Sequence, residues 1–257
     1  MTTAVGTIGY ETRDRIGYIR LEAPPHNILT GVLMDQLTDA LDRAAADRRL
    51  VGVALSSEGI AFSAGADVHE HRPEAARAMI AAFSRLFARV GSLELPVVMA
   101  VDGVALGAGF ELAMMADVLI ATPRAKFGQP EIRLGFFAPV AVAWLSQRVG
   151  IGRAVELCAT GRTRDAASLQ EMGLVSQVVT SEELGAAVES VLADFRMASA
   201  AVMRLNLRCL RRLHGRPFEE ARQEAERLFL DELMALDDVR EGIASFYEKR
   251  RPAWVNG

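Results

Sequence analysis

The sequence predicts an α/β protein, and three observations lead to that prediction. Strand-like apolar segments alternate with segments of helical periodicity along most of the chain, which is the pattern of α/β architecture. Apolar residues make up 51% of the chain, which is enough to build a large core. A length of 257 residues fits one large α/β domain or two small ones.

The first part of the chain predicts a hairpin, two helices and a buried strand. Alternating apolar residues predict the hairpin in "TIGYETRDRIGYIRLE". Helical periodicity follows in "LTGVLMDQLTDALDRAAAD", with Thr30 as the expected N-cap, and again in "EAARAMIAAFSRLFARVGSL". Between the helices we expect a buried strand at "VGVALSS" and a Gly- and Ala-rich loop at "EGIAFSAGADVHEHRPE".

The middle of the chain predicts strands that lead into helices. One buried strand, "PVVMAVDGVAL", is expected to run to Gly107, where "GAGFELAMMAD" begins a helix. "VLIAT" predicts another strand, after which a loop reaches Glu131 and a helix begins near Pro139. A late strand is expected at "GLVSQVV".

From Thr180 onward the sequence is nearly all helical, and this part opens with a capping box between Thr180 and Glu183. The expected division is a core of residues 1–195 followed by a helical region of residues 196–257.

Charge, cysteine content and hydropathy exclude several classes of partner. The formal net charge of -4 and the scattered basic residues do not favour a nucleic acid. Cys158 and Cys209 are too few for a disulfide framework, and we expect both to be buried thiols in a reducing cytosol. The N-terminus has no apolar signal core, and no run of about 18 apolar residues exists, so we expect a cytoplasmic protein without a membrane span.

Two loops of small residues are candidate binding elements. "GAG" at Gly107–Gly109 does not complete a dinucleotide motif, because Leu112 occupies the third glycine position. A strand that runs into a helix here would aim free N–H groups at an oxyanion. "SAGAD" at Ser63–Asp67 offers a second set of accessible N–H groups, so the two loops together could hold one carbonyl oxygen. The alternative is that both loops are tight packing turns.

Several motifs resemble those of the enoyl-CoA hydratase/isomerase, or crotonase, superfamily. They are "PPHNILT", "AFSAGADV", "GVALGAGFELAMMADVLIAT", "AKFGQPEIRLG" and "ATGRTRDAASLQEMGLVSQVV", and the resemblance covers essentially the whole chain. It implies a spiral of ββα turns, a C-terminal helical trimerisation region and a homotrimer or a hexamer made of two trimers. It also implies an acyl-CoA substrate and no separate cofactor, since coenzyme A is part of the substrate.

The resemblance implies an oxyanion hole made by the backbone N–H groups of Ala66 and Ala108. The family usually has glycine where Ala108 stands, but alanine keeps the N–H. The loop beside Ala66 is implied to bind the coenzyme A portion, through Ala64, Gly65, Asp67 and Val68.

Glu111 and Glu131 stand at the two acidic positions of the family's hydratases. Adding water to a conjugated double bond requires one group to take a proton from water and another to supply one to Cα, and partial burial can raise a carboxyl pKa toward neutrality. We expect Glu111 to activate the water and Glu131 to move the proton at Cα. The alternatives are that Glu111 only complements the charge at a helix N-terminus and that Glu131 is an exposed loop carboxylate.

The segment after Glu131 departs from the family pattern. Phe136, Phe137 and Pro139 replace small residues beside the expected acyl end, and two rings would suit a flat cyclic acyl group. "EIRLGFFAPVA", "ADVHEHRPE" and "EGIASFYEKRRPAW" also resemble the cyclohexa-1,5-diene-1-carbonyl-CoA hydratase branch. The alternative is that both phenylalanines point into the core and that the pocket accepts crotonyl-CoA.

Two further functions remain possible on this scaffold: an enoyl-CoA isomerase or related acyl-CoA enzyme, and a non-catalytic RNA-binding homologue. An RNA-binding protein would need a basic face or arm, which an acidic chain with a filled glutamate pair does not favour. "HEH" at His69–His71 lacks further ligands nearby, so no metal site is expected. Apolar residues at helical spacing near the C-terminus predict burial against neighbouring subunits; they are Phe218, Leu228, Phe229, Leu233, Met234, Ile243 and Phe246.

Overall fold

The computed structural model describes residues 6–255, so the parts of the N-terminal prediction that fall on residues 1–5 lie outside it. Its larger sheet has six strands, all parallel except for the antiparallel pair at one edge. In spatial order the strands are β1 (Thr7–Arg13), β2 (Ile16–Glu22), β3 (Gly52–Ser57), β5 (Val97–Val101), β7 (Val118–Ala121) and β10 (Gln177–Val178).

A smaller sheet of four short strands takes its members from between those of the larger one. In spatial order they are β4 (Ala61–Ser63), β6 (Val104–Leu106), β8 (Lys126–Gly128) and β9 (Arg164–Asp165). Three times in succession the chain passes from a strand of the large sheet into a strand of the small one, at β3–β4, β5–β6 and β7–β8. This repetition places the loops after β4, β6 and β8 next to one another.

The prediction of a single strand at "PVVMAVDGVAL" is wrong, because the segment forms β5 and β6 in two different sheets. The chain turns between them at Gly103, whose φ is +103°. A Cβ at this position would lie 2.2 Å from the carbonyl oxygen of Ile60, so only glycine fits. The turn depends on one glycine, and the segments on both sides of it are largely apolar. The sequence therefore resembled one continuous strand.

Ten α-helices complete the described fold. They are α1 (Gly31–Ala46), α2 (Pro73–Ser92), α3 (Ala108–Ala113), α4 (Pro139–Val149), α5 (Ile151–Thr160), α6 (Ala166–Glu171), α7 (Leu184–Arg196), α8 (Ala200–Leu213), α9 (Phe218–Asp231) and α10 (Asp237–Glu248). Thr30 caps α1 as predicted, because its hydroxyl accepts from the N–H of Leu33 at 3.2 Å. The capping-box hydrogen bonds between Thr180 and Glu183 also form, although α7 itself begins one residue after Glu183.

Helices α1 and α2 cover one face of the large sheet and fix the position of the site loops. Their buried stripes include Leu37 and Leu86, and burial of each such side chain stabilises the fold by about 1.5–3 kcal/mol. The rings of Phe83 and Phe87 on α2 lie 4.3 Å apart within this layer. Because α2 is held against the sheet, residues of its buried stripe can also form a wall of a cavity in a fixed position.

Four other predictions need correction. The segment predicted as a loop before α2 contains β4 and a 3₁₀ helix, Val68–His71, and the loop that carries Glu131 is a 3₁₀ helix, Pro130–Leu134. The predicted late strand is only two residues long, Gln177–Val178. The cysteines expected to be buried are half-buried, Cys158 in α5 and Cys209 in α8, and both are free thiols.

Among residues 6–255, no helix combines the length and the apolar character that crossing a membrane requires.

Candidate active site

The loops after β4, β6 and β8 surround a cavity of about 340 Å³, which is within the usual range for small-molecule sites. Helix α2 forms one wall, and the start of α3 forms the floor. The segment between Glu131 and α4 forms the opposite wall. The side chains that line the cavity are largely apolar. The lining residues are Ala64, Gly65, Ala66, Val68, His71, Ala76, Met79, Ile80, Phe83, Gly107, Ala108, Glu111, Pro130, Glu131, Leu134, Gly135, Phe136, Phe137, Ala138 and Pro139.

Glu111 lies in the first turn of α3 and is only 1% exposed. Its Oε1 accepts from the backbone N–H groups of Val140 at 2.7 Å and Ala141 at 2.9 Å, in the first turn of α4. The carboxylate of Glu111 therefore caps the N-terminus of α4, although Glu111 itself lies in α3. The N-cap residue of α4 provides no side-chain cap of its own.

The pKa of Glu111 is raised to about 7, mainly by burial and also by the charge of Glu131, while the hydrogen bonds from the N–H groups of Ala141 and Val140 act in the opposite direction. Desolvation therefore outweighs the two hydrogen bonds. A carboxyl with a pKa of about 7 exchanges protons readily at neutral pH, as a general acid or base must.

Glu131 enters the cavity from the 3₁₀ helix Pro130–Leu134 and is partly buried. Burial raises its pKa, whereas its own backbone N–H lowers it, as does the ring of His71 when that ring is protonated. Its Oε1 packs against the backbone of Gly107, where an added Cβ would lie 2.2 Å from that oxygen. The carboxyl is thus held in place, and its Oε2 is closed off from solvent without a hydrogen-bond partner among residues 6–255.

Ala66 and Ala108 line the same cavity from neighbouring loops. Ala108 is the first residue of α3, so its N–H has no acceptor within the helix. No residue in the described range accepts a hydrogen bond from the N–H of Ala108 or of Ala66. The loops are in contact, because a Cβ added to Gly65 would lie 3.8 Å from the Ala108 nitrogen. With a φ of +105°, Gly65 adopts a conformation that favours glycine.

A buried asparagine holds the first of these loops. Asn27 is fully buried, and its side-chain amide donates to the carbonyl oxygens of Glu58 at 2.6 Å and Ala61 at 2.8 Å. The turn around it continues the support, since the N–H of Ala64 donates to His26 and the N–H of Leu29 donates to Gly65. The asparagine of "PPHNILT" therefore positions the loop of Ala66.

Small size is required where the two loops meet. A Cβ added to Gly109 would lie 2.5 Å from the carbonyl oxygen of Ser63, and the Ser63 hydroxyl accepts from the N–H of Gly65 at 3.1 Å. The glycines and alanines noted in the sequence therefore allow α3 to approach β4 closely.

Phe136 and Phe137 both line the cavity and are 39% and 67% exposed, so neither ring points into the core. The ring of Phe136 lies 5.1 Å from that of His71 at an interplanar angle of 54°. This contact joins the segment before α4 to the 3₁₀ helix Val68–His71 across one side of the cavity.

The remaining predicted site residues divide between cavity and loop. Ala64, Gly65 and Val68 line the cavity, whereas Asp67 is not among its lining residues. The Asp67 carboxylate accepts from the N–H of His69 at 2.8 Å and caps the 3₁₀ helix.

The sequence did not identify the contribution of α2 or of His71. Ala76, Met79, Ile80 and Phe83 line the cavity from one edge of α2, and their i, i+3, i+4, i+7 spacing was visible in the sequence. That spacing marks an apolar stripe but does not tell whether the stripe faces the core or a ligand. Among residues 6–255, no group of three or more His, Cys, Asp or Glu side chains could hold a metal ion.

Comparison with known sequences gives the same family over nearly the whole chain. The family model described as enoyl-CoA hydratase/isomerase matches residues 11–257. A Mycobacterium tuberculosis protein named probable enoyl-CoA hydratase echA8 is 35% identical over 253 residues, covering 97% of this chain and 98% of that protein. The cyclohexa-1,5-dienecarbonyl-CoA hydratase of Thauera aromatica is 35% identical over 238 residues, covering 93% of this chain and 92% of that protein.

Solved structures agree in fold. A human enoyl coenzyme A hydratase domain-containing protein superposes with a TM-score of 0.90 at 27% identity, covering 96% of this chain and 99% of that chain. An enoyl-CoA hydratase from Mycobacterium smegmatis gives a TM-score of 0.89 at 28% identity, covering 96% of this chain and 98% of that chain. The two-sheet core with C-terminal helices is therefore the crotonase fold.

Proposed function

The chain belongs to the enoyl-CoA hydratase/isomerase family, and from that membership we propose that it adds water to an α,β-unsaturated acyl-CoA thioester with Glu111 and Glu131 as the acid–base pair. Hydration of enoyl-CoA is the activity that the names of its relatives share. The observation that carries the residue assignment is the convergence of two carboxyls with raised pKa values on one largely apolar cavity.

Glu111 is the group we assign to the water. Oε1 is occupied by the N-terminus of α4, so the carboxylate has a fixed orientation and its other oxygen can accept a proton from water. As that proton leaves, the water oxygen bonds to Cβ of the acyl group, and the electrons of the double bond move toward the thioester oxygen. A pKa of about 7 lets the same carboxyl release the proton again at neutral pH.

Glu131 is the group we assign to Cα. Its raised pKa favours the protonated form, which must be present when the enolate-like intermediate takes up a proton. Glu131 lines the cavity, so its carboxyl is the group able to deliver this proton, and its Oε2 has no competing hydrogen-bond partner among residues 6–255. This assignment balances the reaction, since one proton leaves water at Glu111 and one reaches Cα from Glu131.

The N–H groups of Ala66 and Ala108 are proposed to hold the thioester oxygen while negative charge develops on it. Their lack of an acceptor among residues 6–255 supports this role, and each such donor contributes about 3–4 kcal/mol in comparable sites. The loop residues Ala64, Gly65 and Val68 would then lie along the coenzyme A portion of the substrate, and no separate cofactor is required.

We further propose a flat cyclic acyl group. Phe136 and Phe137 present two rings to the cavity, and the chain shares 35% identity with a relative named cyclohexa-1,5-dienecarbonyl-CoA hydratase. Rings stack on flat groups with a gain of about 0.5–1.5 kcal/mol beyond burial, a gain that a thin acyl chain does not obtain.

Oxygen-isotope labelling tests hydration against isomerisation. The protein is incubated with linear and cyclic enoyl-CoA esters in water labelled with a heavy oxygen isotope, and the products are analysed by mass spectrometry. Hydration predicts one labelled hydroxyl at Cβ. A shifted double bond without label would instead identify an isomerase and overturn the proposal.

A further inference from the structure

The cavity contains one polar side chain that the proposed hydration does not use. Among the lining residues the only polar side chains are Glu111, Glu131 and His71, and all others are apolar side chains or glycine. A polar group in apolar surroundings is costly unless it is hydrogen-bonded. The two glutamates are occupied by the chemistry, so His71 needs an explanation of its own.

The hydrogen bond of His71 fixes which ring nitrogen carries the proton. Nδ1 lies 2.8 Å from the carbonyl oxygen of Asp67, and a carbonyl oxygen can only accept. Nδ1 is therefore the donor, and in the neutral imidazole Nε2 is left as an acceptor. The Nδ1 edge of the ring is hydrogen-bonded to the backbone of its own 3₁₀ turn. Nε2 is therefore the ring nitrogen that remains for a ligand in the cavity that the ring lines.

The ring is also held in position. His71 ends the 3₁₀ helix that Asp67 caps, and the Phe136 ring packs against it at 5.1 Å. Within residues 6–255 Nε2 has no hydrogen-bond partner, and it is not among the unpaired atoms that are closed off from solvent. The acceptor is thus preoriented, accessible and unused.

We propose that His71 is a specificity-determining residue whose Nε2 accepts a hydrogen bond from the acyl group, so that the preferred acyl group carries a hydroxyl beyond its double bond. The inference rests on the proposed function because it takes this cavity as the acyl site. Linear and cyclic hydroxyacyl groups both satisfy it.

Other roles for His71 fit the contacts less well. It makes no hydrogen bond to Glu131, so it does not relay that proton directly. It belongs to no potential metal-binding group within the described part of the chain. A hydrogen bond to a ligand uses both its fixed tautomer and its position beside Phe136.

Binding of saturated esters tests the proposal without any chemistry. Isothermal titration calorimetry would compare pentanoyl-CoA with its 4-hydroxy and 5-hydroxy derivatives on the wild-type protein. We expect one hydroxylated ester to bind about tenfold more tightly, equal to ~1.4 kcal/mol. Equal affinities for all three esters, or binding of none of them, would overturn the proposal.

Three variants locate the effect. His71→Met removes the acceptor and should reduce the tenfold ratio to about one. His71→Gln places a carbonyl oxygen near the Nε2 position and should keep part of the preference. His69→Met is the matched control, because His69 lies two residues earlier, is exposed and does not line the cavity, so it should keep the full ratio. A preference retained by His71→Met would contradict the assignment.

Nitrogen-15 NMR of histidine-labelled protein measures the tautomer in the wild-type protein, and a variant is needed only to assign the signal. The chain has 4 histidines, so the His71 signal can be assigned by its absence from His71→Met. We expect the neutral ring to carry its proton on Nδ1, and the opposite tautomer would overturn the proposal. Bound esters that are not hydrated would count against the proposed function alone, since this inference concerns binding.

Discussion

In the cavity the chain buries charged groups among apolar side chains, whereas along the C-terminal helices it holds apolar side chains out to solvent. Glu111 is 1% exposed, while Phe218 on α9 and Phe246 on α10 are 80% and 78% exposed. Both arrangements reverse the usual partition of residues between core and surface.

The two reversals indicate different partners. Buried carboxyls with raised pKa values, next to N–H groups without acceptors, are arranged for a small molecule whose charge changes during a reaction. Exposed aromatic and aliphatic side chains on terminal helices are arranged for a protein surface. The cavity therefore points to a substrate, and we predict that the helices point to further copies of the chain in a trimer or hexamer.

The largest effect on the cavity is expected from removing one of the two proposed oxyanion donors. Ala108→Pro deletes the N–H at the first position of α3, where proline suits a helix and where the preceding Gly107 has no Cβ to clash. We expect kcat to fall about 100- to 1000-fold, the usual loss for one such donor. Steady-state kinetics would measure the fall.

Ala108→Gly is the matched control for this substitution, because it shortens the side chain but keeps the N–H. It should stay close to the wild-type rate. If Ala108→Pro folds normally and also keeps that rate, the Ala108 N–H is not part of the site.

The cost of burying Glu111 should appear in the pH dependence of stability. Its pKa is raised from 4.5 to about 7, so between these pH values the folded state keeps a proton that the unfolded state has lost. Stability contributed by this group is therefore present below pH 4.5 and is lost as the pH rises through 7. The loss amounts to roughly 3 kcal/mol at about 1.4 kcal/mol per pH unit.

Glu111→Gln isolates this effect, since the amide does not titrate and its oxygen can still accept from Val140 and Ala141. In urea unfolding at pH 4.5 and pH 8, the free energy of unfolding of the variant should increase relative to that of the wild type as the pH rises. A difference that does not change with pH would show that Glu111 ionises without penalty.

The proposed role of the exposed apolar side chains on the C-terminal helices is tested by placing a charge among them. Phe246→Glu would put a carboxylate where we predict a subunit contact, and losing a buried phenylalanine costs about 1.5–3 kcal/mol. Association should weaken about 10- to 100-fold, seen by light scattering as smaller species at micromolar concentration. Arg240→Ala on the same helix is the control, and a wild-type protein that is already monomeric would refute the prediction.

The smallest expected effect concerns the acyl group. With Phe136 and Phe137 on the cavity wall, kcat/KM should favour cyclohexa-1,5-diene-1-carbonyl-CoA over crotonyl-CoA. A preference for crotonyl-CoA of about tenfold, equal to ~1.4 kcal/mol of transition-state binding, would rule out the cyclic substrate and leave hydration itself untouched.

Local sequence signals predicted the elements whose own side chains define them. The hairpin β1–β2, the capped helix α1 and helix α2 are confirmed, because apolar periodicity and caps are encoded within each segment. The short strands of the small sheet were missed because all four are only two or three residues long and are defined by pairing with their neighbours. Strands this short cannot show a repeating pattern of apolar residues.

The same limit applies to the site. Glu111 and Glu131 were identified from a resemblance, and the structure places both in one cavity. The link from Glu111 to the first turn of α4 spans 29 residues to Val140, and no local pattern connects them. The contact of His71 with Phe136 could not be predicted either, because it depends on how two distant loops meet.

The most direct test of the central claim, that two buried glutamates share the proton transfers, is the turnover of Glu111→Gln and Glu131→Gln on an enoyl-CoA that the wild type hydrates. Each substitution should lower kcat about 100-fold or more, the scale of lost acid–base catalysis, while the Kd of a saturated acyl-CoA stays near the wild-type value. Near-wild-type turnover by either variant would contradict the role assigned to that glutamate.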